Sequence, residues 1–117
     1  MVTRLDYQAY SKVAIKTMAS ILRDARARVS RSEHHIPGTV SSILKCAIHH
    51  RLGTVPVGEP SIVIAVSSPH RKESFVACEY ILEEVKRKAQ IWKREFYEGE
   101  SDEAAEWKEN ITTLKAS

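Results

Sequence analysis

Apolar and polar positions along the chain change period repeatedly, and each change predicts a new element. Val2 to Tyr7 alternates β-branched or apolar residues with polar ones, the pattern of a strand beginning almost at Met1. From Tyr10 the apolar positions recur as Tyr10, Ala14, Met18, Ile21 and Ala25, a helical stripe that fades near Val29. The polar stretch from Ser30 to Pro37-Gly38 predicts a loop. Thr39 to His49 is apolar enough for a second strand, and Leu52-Gly53 to Gly58-Glu59-Pro60 is a turn-rich connection. Ser61 to Ser67 is β-branched and uncharged, which predicts a strand buried on both faces.

Ser68-Pro69 fits a helix start, with Ser68 as N-cap and Pro69 in the first helical position. The expected buried stripe of that helix is Phe75, Cys78, Ile81 or Leu82, and Val85. Glu83 with Arg87 and Glu84 with Lys88 form i,i+4 pairs expected on its outer face. Ile91 to Tyr97 alternates again as a last strand, and the tail from Gly99 has Trp107 as its only large anchor.

The order strand, helix, strand, strand, helix, strand predicts an α+β fold, a ferredoxin-like split βαβ core with two helices on one face of an antiparallel sheet. Strands are expected near 2–7, 40–49, 61–67 and 91–97, and helices near 10–29 and 69–88. A chain of 117 residues is expected to form one domain, with 99–117 as a poorly patterned tail, because two cores would each be too small.

Composition narrows the function classes. Hydrophobic residues make up 43% and charged residues 28%, as in ordinary globular proteins. No apolar run reaches membrane-spanning length and the N-terminus has no signal-peptide pattern. A cytoplasmic location and no membrane partner are therefore expected. The net charge of +3 favours an anionic partner only weakly. No basic stripe interleaved with aromatics appears, so no nucleic-acid partner is expected. Only Tyr7, Trp92, Phe96 and Tyr97 are placed to supply a base-stacking surface. Cys46 and Cys78 are expected to be small core residues. No Cys/His spacing suits a metal, and His34-His35 and His49-His50 fit a loop pair and a strand-end pair.

Two places carry candidate chemistry. The first is Ser67-Ser68-Pro69-His70-Arg71, where a helix start offers free N–H groups, a positive dipole end and an arginine to an anion. A solvent-facing helix start with an incidental arginine fits the same residues. The second is the junction from Lys86 to Glu95. Lys86 lies near a helix C-terminus, and Lys93 lies in the next strand on the face of Ile91 and Glu95. A tight connection can bring both ammonium groups to one end of the sheet, where they would lower each other's pKa and hold an anion. A solvated basic patch is the alternative.

Several ordered segments resemble the molybdopterin synthase large (catalytic) subunit family. They are Leu5-Asp6-Tyr7-Gln8-Ala9-Tyr10, His50 to Glu59, Val63 to Arg71, Ile91-Trp92-Lys93-Arg94-Glu95 and Trp107-Lys108-Glu109-Asn110. The resemblance implies a sulfurtransferase of molybdenum cofactor biosynthesis that converts cyclic pyranopterin monophosphate into molybdopterin. It implies a small ubiquitin-like sulfur-carrier partner ending in a Gly-Gly thiocarboxylate, and a homodimer of this chain giving a heterotetramer. Carried over by motif, Lys86 and Lys93 would be catalytic and would bind substrate together with His70, Arg71, Arg94 and Glu95. No cofactor or metal is implied. The chain departs from the family pattern in three ways. By this resemblance it is expected to lack the usual N-terminal segment, its loop from Ser30 to Thr39 is expanded, and Gln90 replaces the usual proline before Ile-Trp-Lys. The alternative expectation is a truncated, catalytically impaired relative that only docks the small subunit.

Overall fold

The period changes correspond to a simple chain order. The computed structural model describes residues 1–30 and 42–109. Its elements are β1 (Val2–Ala9), α1 (Ser11–Ser30), β2 (Lys45–His50), β3 (Gly53–Pro56), β4 (Ile62–Ser67), α2 (Arg71–Lys88), β5 (Ile91–Tyr97), a 3-10 turn at Asp102–Ala104 and β6 (Trp107–Glu109). Among the described residues no helix is long and apolar enough to cross a membrane.

Among the described residues every strand pairing is antiparallel, and the fold is α+β as the pattern predicts. β1 pairs with β5 and β2 with β4, the two outer pairings of a split βαβ core. Hydrogen bonding is interrupted between them, leaving a sheet of order β3-β1-β5-β6 and a separate β2-β4 ribbon. The cause lies just after β2. The chain bends at Arg51-Leu52, and Gly53 takes a φ of 80°, a left-handed conformation that glycine adopts without strain. The next residues then pair along β1 instead of continuing the ribbon. This β3 strand falls inside the expected turn-rich connection. It has a single buried residue, Val55, and ends in Pro56 at a sheet edge, too short to show a period. Tyr7 and His50 join the two sheets, their rings edge-to-face with centroids 4.8 Å apart. Burial lowers the His50 pKa, opposed by its hydrogen bond with the Arg51 carbonyl.

Both helices cover the inner faces. On α1 the buried residues are Ala14, Ile21, Ala25 and Val29, close to the expected stripe, whereas Tyr10 is exposed. Ile21 and Ala25 meet Ile81 and Val85 of α2 over Cys46, Ile48, Ile62, Ile64 and Val66 of the ribbon. A second cluster joins Tyr7, Val55 and Ile91 to Ala14. Burying one such isoleucine contributes about 1.5–3 kcal/mol.

Three expectations need correction. First, β4 is buried on one face only: Ile62, Ile64 and Val66 point inward while Val63 is 54% exposed. Among the described residues no second layer covers the ribbon. Second, α2 begins at Arg71 with His70 as its N-cap and no side-chain cap bond. The Ser68 hydroxyl is instead committed to the His70 carbonyl and to Ser74. Third, Ile81 and Val85 of the expected α2 stripe are buried, but its first turns are covered by Ala77 rather than Phe75 and Cys78, and Phe75 is 73% exposed. Cys46 packs against the core and Cys78 is half-buried. His34-His35 and residues 31–41 of the expected loop and second strand lie outside the described residues.

This packing makes a measurable distinction. Ile81→Ala should lower unfolding free energy by about 2–5 kcal/mol in urea titrations. Val63→Ala, on the open face, should change it by less than about 0.5 kcal/mol. Equal effects would show that β4 is covered on both sides.

Candidate functional site at the α2–β5 joint

Helix α2 ends in Lys86, Arg87 and Lys88, and only Ala89 and Gln90 separate it from β5. Gln90 holds this joint against the start of α1. Its carbonyl accepts from the Tyr10 N–H at 3.0 Å, and its side-chain oxygen accepts from the Thr17 hydroxyl at 2.9 Å. Inside the joint the Ala89 N–H closes the helix on the Val85 carbonyl, and the Ile91 N–H bonds the Ala89 carbonyl. Gln90 thus fixes by hydrogen bonds a turn that proline would fix by its ring.

The three basic residues before the joint differ in their commitments. Glu84 is buried, not on the outer face, and pairs with Arg87 at 3.3 Å and Lys88 at 2.8 Å. That pairing raises the Lys88 pKa, first through the hydrogen bond to Glu84. The pair Glu84–Lys88 forms as expected. Lys86 has no ion pair among the described residues and lines a concavity of about 220 Å³ with Ala89, Trp92 and Glu109.

In β5, alternation puts Ile91, Lys93, Glu95 and Tyr97 on one face and Trp92, Arg94 and Phe96 on the other. Lys93 sits opposite Tyr7 of β1 and Lys108 of β6. Its ammonium lies 3.2 Å from Glu95. The Tyr97 hydroxyl donates to the same carboxylate. That bond, reinforced by Lys93, holds the Glu95 pKa below the ordinary value against the opposing effect of partial burial. The same bond pushes the Tyr97 phenol up.

The structure therefore brings some of the candidate residues together. Lys93 and Glu95 are ion-paired, and Lys86 stands at the near end of the same joint. Arg94 points to the other face. Its guanidinium donates to the Ala105 carbonyl at 2.8 Å and the Asp102 carbonyl at 2.7 Å, and it stacks over Phe96. His70 and Arg71 are exposed at the opposite end of α2. Fifteen residues at 1.5 Å each separate Arg71 from Lys86, about 22 Å along the axis. Within one chain they cannot share a small-molecule pocket. Tyr97 was named from the sequence only as an aromatic and not as a site residue, although the spacing Lys93, Glu95, Tyr97 on one strand face is a period-two signal. The aromatics form no stacking platform, because Tyr7 and Phe96 are buried and Trp92 and Tyr97 face opposite ways. Among the described residues no cluster of His, Cys, Asp and Glu suits a metal ion.

The sequence model of the family described as MoaE protein matches residues 1–88. The molybdopterin synthase catalytic subunit 2 of Aedes aegypti is 46% identical over 109 residues, covering 93% of this chain and 63% of that protein. The molybdopterin synthase catalytic subunit of Coccidioides immitis (strain RS) is 45% identical over 112 residues, covering 96% of this chain and 51% of that protein. The crystal structure of molybdopterin synthase from Staphylococcus aureus superposes with a TM-score of 0.70 at 33% identity, covering 92% of this chain and 66% of that one. The chain spans less than two thirds of the length of each of these proteins.

The Tyr97–Glu95 bond can be tested by carbon-detected NMR titration. Tyr97→Phe should raise the Glu95 pKa toward the ordinary carboxylate value. A depressed pKa stabilises the fold above the unfolded value, and that contribution is lost as pH falls through the folded value. The stability difference between wild type and Tyr97→Phe should therefore shrink in acid. An unchanged Glu95 titration would show that Tyr97 does not act on it.

Proposed function

The chain belongs to the MoaE protein family, and on that basis we propose that it is the catalytic subunit of a cytoplasmic molybdopterin synthase. In this reading it transfers sulfur from a thiocarboxylated small carrier to cyclic pyranopterin monophosphate, with no resident cofactor or metal. The observation that carries the reading is the α2–β5 joint, where Lys86 and Lys93 flank a rigid two-residue turn. The substrate carries a phosphate and the carrier tail ends in a thiocarboxylate, so both reactants are anions. Preorganised cations stabilise the charge that develops between them at little reorganisation cost. Lys86, which forms no ion pair among the described residues, and Lys93, steadied by Glu95, are the groups we assign to that task.

His70 and Arg71 fit the same reading only if a second copy supplies them. A homodimer in which the start of α2 from one chain approaches the joint of the other would overcome the roughly 22 Å separation along the helix. Uncovered apolar surface supports such pairing: Phe75 beside that helix start, and Val63, Ala47 and Ala65 on the open face of the ribbon. One small carrier on each chain then gives a heterotetramer. In the same reading Arg94 supports the pocket from behind, and Glu95 orients Lys93.

The test is turnover with thiocarboxylated carrier and cyclic pyranopterin monophosphate, run on the complex after its mass is measured by light scattering. Lys93→Ala should lower the rate by about 10²- to 10³-fold, as removal of one preorganised charge contact does, with thermal stability almost unchanged. Lys12→Ala, an exposed lysine on α1, should behave as wild type. Lys88, paired to Glu84, is an unsuitable control. Equal activity of Lys93→Ala and Lys12→Ala, or a complex with a single copy of this chain, would overturn the assignment.

A further inference from the structure

The turn between α2 and β5 has a backbone compatible with proline, yet it holds glutamine. Ala89 is extended, with φ −70° and ψ 140°, in the region to which the residue before a proline is restricted. The Ala89 N–H has already closed the helix, and among the described residues the Gln90 N–H donates to no protein acceptor. A ring at position 90 would therefore remove no hydrogen bond from the turn.

What glutamine lacks is a fixed φ, and two bonds to α1 supply the restraint instead. The Gln90 carbonyl accepts from the N–H of Tyr10, whose own carbonyl accepts from Ala14 at 2.8 Å as α1 begins. Any residue at position 90 offers that carbonyl. The second bond needs the glutamine side chain: its oxygen accepts from the Thr17 hydroxyl at 2.9 Å, across 73 residues of chain. A threonine inside a helix commonly turns its hydroxyl onto the carbonyl one turn back, whereas Thr17 reaches another element. Tyr10 and Thr17 lie about two helical turns apart, so together they fix both the place and the direction of the turn against α1.

Lys86 stands four residues before Gln90 and Lys93 three residues after it. The angle at this turn therefore sets how far apart the two ammonium groups are held. We infer that Thr17 is a positioning residue of the site: through Gln90 it locks the angle between α2 and β5, a task that a proline ring at position 90 performs equally. Thr17 itself touches no substrate. The inference rests on the proposed function only for the reaction in which the lysine spacing is read out.

Hydrogen exchange and turnover separate the two. Thr17→Val keeps the shape of the side chain and removes the donor. Exchange at the Ala89 and Ile91 N–H groups, both bonded inside the turn, reports its opening without any substrate. Thr17→Val should speed exchange at both by about 3- to 10-fold, the effect of one neutral hydrogen bond. Gln90→Pro should exchange as wild type, and adding Thr17→Val to it should change nothing further. A general role of Thr17 in α1 would give the same effect in both backgrounds. Gln90→Leu removes the acceptor without adding a ring, and combined with Thr17→Val it should be no worse than either single change. In turnover, Thr17→Val should lower kcat by a similar factor with KM little changed, and Gln90→Pro should restore the rate. If Thr17→Val exchanges like wild type, or its effect persists in full beside Gln90→Pro or Gln90→Leu, the inference is overturned. If both exchange cycles behave as expected while wild type shows no turnover, the lock stands and the proposed reaction fails.

Discussion

Gln90 is the constraint on which the rest of the molecule depends. Its carbonyl and side-chain oxygen tie the α2–β5 turn to Tyr10 and Thr17 of the first strand-to-helix passage. Both helices must therefore meet the sheet at one point. From that point Ile21, Ala25, Ile81 and Val85 pack over the ribbon, and Tyr7, Ala14, Val55 and Ile91 close the other end. The same joint decides which charges meet. It turns the last helical residues and the first strand residues toward one end of the sheet, so a basic helix terminus and a basic strand share a boundary. A turn with free backbone groups would let the helix end fray, and the cations would lose their fixed spacing.

Electrostatics near the joint divide into committed and uncommitted groups. Arg87 and Lys88 answer the buried Glu84, Arg94 answers two backbone carbonyls, Arg4 answers Asp102, and Lys93 answers Glu95. Such pairs contribute little stability at a surface, but they fix directions. Among the described residues Lys86 and Lys108 form no ion pair, although Glu109 lines the hollow of the first and Glu95, Glu100 and Glu106 that of the second. Net charge alone, at +3, conceals this arrangement, because the acidic residues cancel in number without cancelling in place.

Much of this was legible in the amino-acid pattern, and the misses have physical causes. Strand β5 was placed at its observed bounds because Ile91 to Tyr97 alternates cleanly and follows an unambiguous helix. β3 was hidden because one buried residue between a glycine and a proline has no period. Composition alone could not say that β4 has one open face, since uncharged β-branched residues suit a covered or an uncovered strand equally. Only the first half of the α2 stripe was misplaced, because Phe75 has the size of a core residue, whereas small Ala77 takes the crowded position under Ile43 and Val29. Lys86 and Lys93 were singled out by spacing together with family resemblance, and Glu95 by resemblance. Lys108 was legible only as part of a motif, because its place opposite Lys93 arises from the β5–β6 register.

The most direct measurement is the mass of the carrier tail before and after reaction. The wild-type chain is incubated with thiocarboxylated carrier and cyclic pyranopterin monophosphate, and carrier and pterin are read by mass spectrometry. If the joint is a sulfur-transfer site, the carrier should exchange its sulfur for oxygen, and the pterin should gain sulfur in equal amount. A carrier that stays bound to the chain and keeps its sulfur would contradict the assignment.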